Sequence, residues 1–214
     1  MSSIVNPLIK PQRIVLASSN AGKIRELTAL LAPLQLHIVP QRELGVDDAE
    51  ETGRSFVENA ILKARHAATL TGLPALADDS GLEVDALHGA PGIYSARFAG
   101  LPSRDEANNT KLLQALAAVP DESRGARFCC LLAFVLHADD PTPLIAEGYW
   151  NGRILHGPRG ENGFGYDPLF WLPDSQCASA ELSKVEKGQR SHRGQALRAL
   201  LERLPAKLAH WQEG

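Results

Sequence analysis

Two adjacent carboxylates at the end of a short apolar run are the residues that most directly suggest chemistry. Asp78 and Asp79 follow Ala75–Ala77 and precede Ser80 and Gly81. The apolar run is short enough for a buried strand, and Ser80 and Gly81 are predicted to form the turn after it. Hard divalent cations take carboxylate oxygens as ligands, so the pair is a candidate metal site. The alternative is a solvated turn, where aspartate is common.

A second group of acids lies upstream, in the loop formed by residues 47–51. Its members are Asp47, Asp48, Glu50 and Glu51. Acids that precede a helix usually complement the helix dipole, but this number exceeds that need. We therefore expect Glu50 or Glu51 to share a metal ion with Asp78 or Asp79. The sequence leaves open which of Glu50, Glu51 and Asp78 joins Asp79 on the metal.

A loop of small polar residues, Ser18–Lys23, is a candidate anion site. It lies between a predicted strand, Ile14–Ala17, and a stretch with the apolar spacing of a helix. Backbone N–H groups and the positive end of the helix dipole would face an anion there, and Lys23 adds a full charge. The Walker phosphate-binding pattern is absent, because Ala17 and Ile24 stand where it requires a glycine and a hydroxyl residue. An ordinary strand–helix turn is the alternative.

Two stretches near the end of the chain carry groups suited to a flat polar ligand. Phe164–Asp167 joins an aromatic ring to a glycine, which lets a ligand approach both ring and backbone. A core aromatic beside a tight turn is the alternative. His192 and Arg193 follow Ser191, a predicted helix N-cap. Both can donate hydrogen bonds and neither suits the positive end of a helix as a cation, which favours a ligand role over a surface pair.

The elements that must position these residues alternate between strand and helix in the first half of the chain. Helices are predicted to begin at the capping boxes Ser55–Glu58 and Ser103–Glu106 and after Ser191. The predicted strands are Ile14–Ala17, Leu36–Val39, Ala75–Ala77, Leu82–Leu87, Arg127–Leu136 and Leu144–Trp150, the last two as a hairpin. This order predicts an α/β fold with a mixed, twisted sheet, flanking helices and two lobes around a central cleft.

The composition is that of an ordinary globular protein, and we expect one domain over residues 1–214 with a loose leader over about 1–12. The net charge of -3 gives no electrostatic reason to expect nucleic acid or a membrane as partner. Neither a signal peptide nor a membrane-spanning apolar run is recognised, so a cytoplasmic location is expected. Cys129, Cys130 and Cys177 are odd in number and are predicted to be reduced, with the adjacent pair buried.

Together these motifs resemble the inosine triphosphate pyrophosphatase family, from Ile14 to the final helix. The resemblance rests on SSNAGK at 18–23, EETG at 50–53, ENA at 58–60, ADDSGL at 77–82, GAPGIYSAR at 89–97, FGYDP at 164–168 and SHRG at 191–194. One departure is that Ser18 and Ser19 stand where the family frequently has threonine and glycine. The hydroxyl is thus kept and a glycine is lost.

The resemblance implies an elongated, homodimeric enzyme that uses Mg²⁺ to hydrolyse ITP, dITP and XTP to the monophosphate and pyrophosphate. The family's general base corresponds to Asp79. The residues implied to bind substrate are Ser18, Ser19, Asn20, Ala21, Gly22, Lys23, Ser80, Phe164, Gly165, Tyr166, Asp167, Lys187, His192 and Arg193. The chemistry of the residues agrees, since Glu51 and Asp79 can hold Mg²⁺ and Asp79 can take a proton from an attacking water.

Two other functions compete with this interpretation. A non-catalytic purine-nucleotide sensor would bind phosphate without metal, and the carboxylates of Glu51, Asp78 and Asp79 argue against it. A pyrophosphatase for pyrimidine or modified nucleotides is opposed by the donors of His192 and Arg193, which match the 6-oxo acceptor of inosine and xanthosine. Adenine would place an amino donor there and leave buried donors unpaired, at a cost of about 1–3 kcal/mol per group.

Overall fold

The computed structural model describes residues 13–32 and 36–212, with side chains described as far as residue 209. The leader expected over residues 1–12 lies outside the described residues. Within them, no helix is long and apolar enough to cross a membrane.

The described strands form a single mixed sheet in the order β2-β1-β3-β4-β5-β6-β7. Their bounds are β1 Arg13–Ala17, β2 His37–Pro40, β3 Ala75–Val84, β4 Gly125–Val135, β5 Leu144–Ile154, β6 Phe170–Leu172 and β7 Cys177–Ala178. Strand β1 is parallel to β2 and β3, and every later pair is antiparallel. The predicted mixed sheet is confirmed, as is the hairpin of β4 and β5.

The helices flank this sheet, and their bounds are α1 Ala21–Leu31, α2 Phe56–Thr71, α3 Asp105–Ala115, α4 Lys184–Arg190 and α5 His192–Gln212. Helix α2 begins as predicted, with the Ser55 hydroxyl accepting from the backbone N–H of Glu58. The capping box predicted for α3 is wrong. Its N-cap is Arg104 and makes no side-chain cap, because the Ser103 hydroxyl donates to the carbonyl of Ala96 instead.

Three apolar clusters cover the sheet. Helices α1 and α5 pack on one face of its first half through Leu27, Leu31, Leu197 and Leu200. Helix α2 packs on the opposite face through Ala60, Ala64, Ala67 and Ala68, small side chains that bring the helix close to the strands. The third cluster joins α3 to the other end of the sheet and contains Leu82, Leu112, Leu116, Phe128, Trp150 and Phe170. The predicted α/β class with flanking helices is confirmed.

Strand β3 continues through the residues predicted to form a turn. It pairs with β4 along its whole length, with Gly81 opposite Cys129, so the turn predicted at Ser80–Gly81 is wrong. Strand β1 ends at Ala17, opposite Ala77. The part of β3 that follows Ala77 therefore lies beyond the end of β1, and this is where the two aspartates sit.

The cysteines agree with the expectation of reduced thiols. Among the described residues Cys129, Cys130 and Cys177 are all free, and the first two are buried. Burial raises the pKa of the Cys129 thiol to about 12 and that of Cys130 well above its usual value. Both thiols are therefore protonated near neutral pH and poor nucleophiles.

Candidate active site

A cleft runs between the start of α1, the middle of β3, the loop before β6 and the start of α5. Most of the residues predicted to bind substrate line it: Asn20, Lys23, Ser80, Phe164, Gly165, Tyr166, Asp167, Lys187, His192 and Arg193. Ser18 and Ser19 belong to the adjoining loop and Ala21 and Gly22 to the first turn of α1, but they do not line the cleft. The sequence thus predicted a set of residues that the fold brings together from distant parts of the chain.

The loop before α1 is partly occupied by its own side chains. The Asn20 side-chain oxygen accepts from the backbone N–H groups of Gly22 and Lys23, at 2.9 and 3.1 Å. The sequence suggested that backbone N–H groups of this loop would be free to bind an anion. These two instead cap the helix by donating to Asn20. A Cβ on Gly22 would lie 2.8 Å from a ring carbon of Phe164. Glycine at this position lets the aromatic ring rest directly against the loop.

Asp78 and Asp79 point to opposite faces of β3, because successive strand residues alternate. Asp78 faces α1 and α5, where its carboxylate lies 2.6 Å from the Lys23 ammonium and 3.5 Å from Nε of Arg193. Burial alone would raise the pKa of Asp78, but the charges of Lys23 and Arg193 outweigh it and hold the pKa far below its usual value. Asp78 is a fixed counter-charge and does not converge with Asp79 on one metal position.

Asp79 faces α2 and meets Lys63 and Glu51. The Lys63 ammonium donates to Asp79 at 2.7 Å and to Glu51 at 3.0 Å, and Asn59 approaches the other Asp79 oxygen at 3.3 Å. Arg97 donates to the second oxygen of Glu51 at 2.7 Å. The Lys63 side chain is only 13% exposed, although it belongs to an amphipathic helix.

The charges around Asp79 suit a carboxylate that must accept a proton. Burial raises the pKa of Asp79, and the positive charge of Lys63 offsets this only in part. For Glu51, burial is outweighed by Lys63 and Arg97, and its pKa is lowered. For Lys63, burial is outweighed by the two carboxylates, and its pKa is raised, so the side chain stays protonated.

The donor set at Asp79 and Glu51 fits a divalent cation. Both carboxylates already converge on one positive charge, the Lys63 ammonium, so the position between them is electrostatically suited to a cation. Glu50, the neighbouring candidate, is exposed. Among the described residues no group of three or more acidic, histidine or cysteine side chains could hold a metal, so water and substrate oxygens would complete the shell.

Glu26 of α1 links two of the candidate substrate-binding residues, Lys187 and Arg193. It accepts from Lys187 and from Arg193, each at 2.7 Å, and these two charges lower its pKa against the opposing effect of burial. The sequence analysis did not identify Glu26. Its position three residues after Lys23, on the same helix face, was the available signal.

The loop that carries Phe164 is held from within by Asp167. The buried Asp167 carboxylate accepts from the Phe164 backbone N–H at 2.8 Å, from the Ser179 hydroxyl at 2.9 Å and from Lys187 at 2.6 Å. The ammonium of Lys187 and the guanidinium of Arg193 lie 5.0 and 5.3 Å from the centroid of the Phe164 ring. Asp167 therefore orders the loop, and the two cations lie over its aromatic ring.

His192 lines the cleft, and its imidazole is neutral. Burial and the nearby charges of Arg193 and Lys187 lower its pKa well below the usual value. Its ring stacks on Phe128 with centroids 4.8 Å apart, and its Nδ1 is buried with no hydrogen-bond partner among the described residues. A buried polar atom without a partner is costly and marks a position where a ligand can supply one.

Comparison with known proteins places this site in a family. The sequence profile of the Ham1 family matches residues 14–203. The chain belongs to the Ham1 family. The dITP/XTP pyrophosphatase of Thioalkalivibrio sulfidiphilus is 62% identical over 192 residues, covering 90% of this chain and 98% of the relative. That of Vibrio cholerae is 58% identical over 191 residues, covering 89% and 96%.

Solved structures agree with the assignment to the Ham1 family. A HAM1 protein from Coxiella burnetii superposes with a TM-score of 0.82 at 51% identity, covering 93% of this chain and 99% of that one. A dITP/XTP pyrophosphatase from Mycobacterium abscessus gives 0.70 at 44% identity, covering 88% and 98%. The family resemblance drawn from the sequence motifs is thereby confirmed.

Proposed function

We propose that this single-domain protein hydrolyses nonstandard purine nucleoside triphosphates, namely ITP, dITP and XTP, to the monophosphate and pyrophosphate. The observation that carries the proposal is the arrangement of charged groups on the two faces of β3. Lys23, Arg193 and a neutral His192 line the cleft, with Lys23 and Arg193 both against Asp78, whereas Asp79 and Glu51 meet Lys63 on the opposite face of β3. Relatives at about 60% identity named dITP/XTP pyrophosphatase support the same substrate class.

The phosphate chain would lie along Lys23 and the start of α1. The Lys23 ammonium has three donors and uses one on Asp78, so it can bind phosphate oxygens without leaving the carboxylate. The positive end of α1 adds to this attraction. Both would stabilise the charge that develops on the leaving pyrophosphate.

Hydrolysis would centre on Asp79. A carboxylate oxygen of Asp79 takes a proton from the attacking water, the water oxygen bonds to the α-phosphorus, and the bond to the bridging oxygen of the β-phosphate breaks. Lys63 and Asn59 orient Asp79, and the raised pKa makes it a stronger base than an ordinary aspartate. Glu51 and Asp79 would hold Mg²⁺, which when bound neutralises phosphate charge and makes coordinated water more acidic.

The purine would be recognised by His192 and Arg193. A neutral His192 keeps one N–H donor and one acceptor, and Arg193 supplies donors only. The 6-oxo group of inosine or xanthosine can accept from these groups, whereas the 6-amino group of adenine cannot. The resulting mismatch leaves buried donors unpaired and favours the oxo purines.

We also propose that the protein is a cytoplasmic homodimer, as the family resemblance implies. The exposed side chains of Tyr94 and Leu101, 58% and 82% accessible, are apolar surface that an interface would cover. The net charge of -3 favours neither nucleic acid nor a membrane as a partner.

One assay tests the proposed activity. The protein is incubated with Mg²⁺ and, separately, ITP, XTP, GTP, ATP and UTP, and pyrophosphate is measured. We expect rapid release from ITP and XTP and slow release from ATP and UTP. Binding of the nucleotides without release of pyrophosphate from any of them would support a sensor instead and contradict the proposal.

A further inference from the structure

Two side chains of α3, one turn apart, hold both backbone polar groups of Gly165. An Asp105 carboxylate oxygen accepts from the Gly165 N–H at 2.6 Å, and the Asn109 amide nitrogen donates to the Gly165 carbonyl at 2.9 Å. Residues four apart lie on the same face of a helix, so both side chains reach the same residue of the loop. Gly165 has a φ of 63°, in the left-handed region that glycine adopts readily.

These two hydrogen bonds fix the position of Phe164, the residue before Gly165. The Phe164 ring rests against Gly22 and lies beneath the charges of Lys187 and Arg193. Asp167 holds the Phe164 backbone from within the loop. The two α3 side chains hold the same loop from outside, across 56 to 60 residues of sequence.

The orientation of the Asn109 amide supports a dedicated role. Its oxygen is buried and has no hydrogen-bond partner among the described residues, while its nitrogen donates to Gly165. A reversed amide would set oxygen against the Gly165 carbonyl oxygen. Asn109 therefore tolerates an unpartnered oxygen in order to keep its contact with the loop.

We propose that Asp105 and Asn109 are positioning residues that set Phe164 against the purine base and so determine discrimination between bases. The inference rests on the proposed function. A ring that is ordered before binding does not have to be ordered by the ligand, which favours affinity. Weakening these two hydrogen bonds should raise KM for purine nucleotides and leave kcat nearly unchanged, because Asp79 is held by Lys63 and Asn59 on the opposite face of β3 from Arg193 and the Phe164 ring.

Isosteric exchanges test the two hydrogen bonds to Gly165 without opening a cavity. Asp105→Asn keeps an acceptor for the Gly165 N–H, whereas Asn109→Asp replaces the donor by a repelling oxygen. Asp105→Ala removes the acceptor, and Gln114→Ala, on the exposed part of α3, is the matched control. Steady-state kinetics with ITP and ATP are measured for each variant, together with its melting temperature.

We expect Asp105→Ala and Asn109→Asp each to raise KM for ITP about three- to tenfold. They should keep kcat within about twofold and narrow the ITP-to-ATP ratio of kcat/KM, while Asp105→Asn and the control keep wild-type values. Unchanged KM and ratio in Asp105→Ala and Asn109→Asp would overturn the inference, as would a uniform loss of kcat on both nucleotides. An inactive wild-type protein would instead overturn the proposed function, and the inference with it.

Discussion

Replacing Lys63 by methionine should move the pH dependence of hydrolysis, because Lys63 controls the proton affinity of Asp79. The ammonium lies 2.7 Å from Asp79 and is largely shielded from solvent. An opposite charge at this range lowers a carboxyl pKa by roughly 1–3 units. Asn59 remains in place at 3.3 Å and keeps one hydrogen bond, so we expect removal of Lys63 to leave the effect of burial less opposed and to raise the pKa of Asp79 further.

The direction of the shift follows from the role of Asp79. A general base must be unprotonated, so activity is lost as the pH falls through its pKa. Raising that pKa moves the acid limb of the kcat/KM profile to higher pH by the same amount. Lys63→Arg keeps the charge and should leave the limb near its wild-type position. Arg97→Met, which removes a contact to Glu51 but none to Asp79, should shift it much less.

The assay is pyrophosphate release from ITP at saturating Mg²⁺ across the pH range in which the variants remain folded. An acid limb that stays in place in Lys63→Met, even with a lower rate, would show that Lys63 does not control the proton affinity of Asp79. It would mean that Lys63 acts on substrate alone or that the titrating base is another residue.

Three further predictions concern Asp79, Arg193 and Asp78. Asp79→Asn should abolish turnover while nucleotide affinity, measured by calorimetry, stays within a few-fold; near-full turnover would exclude Asp79 as the base. Arg193→Ala should narrow the preference for ITP over ATP by about tenfold or more in kcat/KM, since it removes a charged donor; an unchanged ratio would place discrimination elsewhere. Asp78→Asn should lower the free energy of unfolding at pH 7 by about 3 kcal/mol, because Lys23 and Arg193 lose a buried counter-charge. The pKa of Asp78 is depressed in the folded state, so this contribution is present above the ordinary aspartate pKa and fades as the pH falls below it. Urea titrations at pH 7 and pH 3 would check both the size and the direction.

Local patterns predicted the elements whose ends are fixed by their own residues. The N-cap at Ser55 and the helix that starts after Ser191 follow from side chains within one turn of the helix end, and both are present. The strand pattern of Arg127–Leu136 corresponds to β4, shifted by one or two residues. Such features need no knowledge of distant partners.

The errors arose where distant contacts decide. Gly81 was interpreted as part of a turn, but a Cβ there would collide with the Gly92 carbonyl and the Ser95 hydroxyl. The glycine marks a close approach inside a strand, and pairing with β4 carries β3 through it. Ser103 was likewise assigned as the N-cap of α3, but its hydroxyl donates a hydrogen bond to the carbonyl of Ala96.

The candidate site was predicted as a set of residues but not as a network of charges. Lys63 and Glu26 stand on amphipathic helices where charged side chains are usually solvated. Only the fold places Lys63 between Asp79 and Glu51, and Glu26 between Lys187 and Arg193. The opposite orientation of Asp78 and Asp79 could have been predicted, because it follows from the alternation of a strand once Ser80 is known to continue it.

Hydrolysis of ITP in ¹⁸O-labelled water is the most direct test of attack at the α-phosphorus. Mass spectrometry of the products identifies the phosphorus that received the water oxygen. Attack at the α-phosphorus gives unlabelled pyrophosphate and one labelled oxygen in IMP. Label in pyrophosphate, or release of IDP and inorganic phosphate, would contradict it.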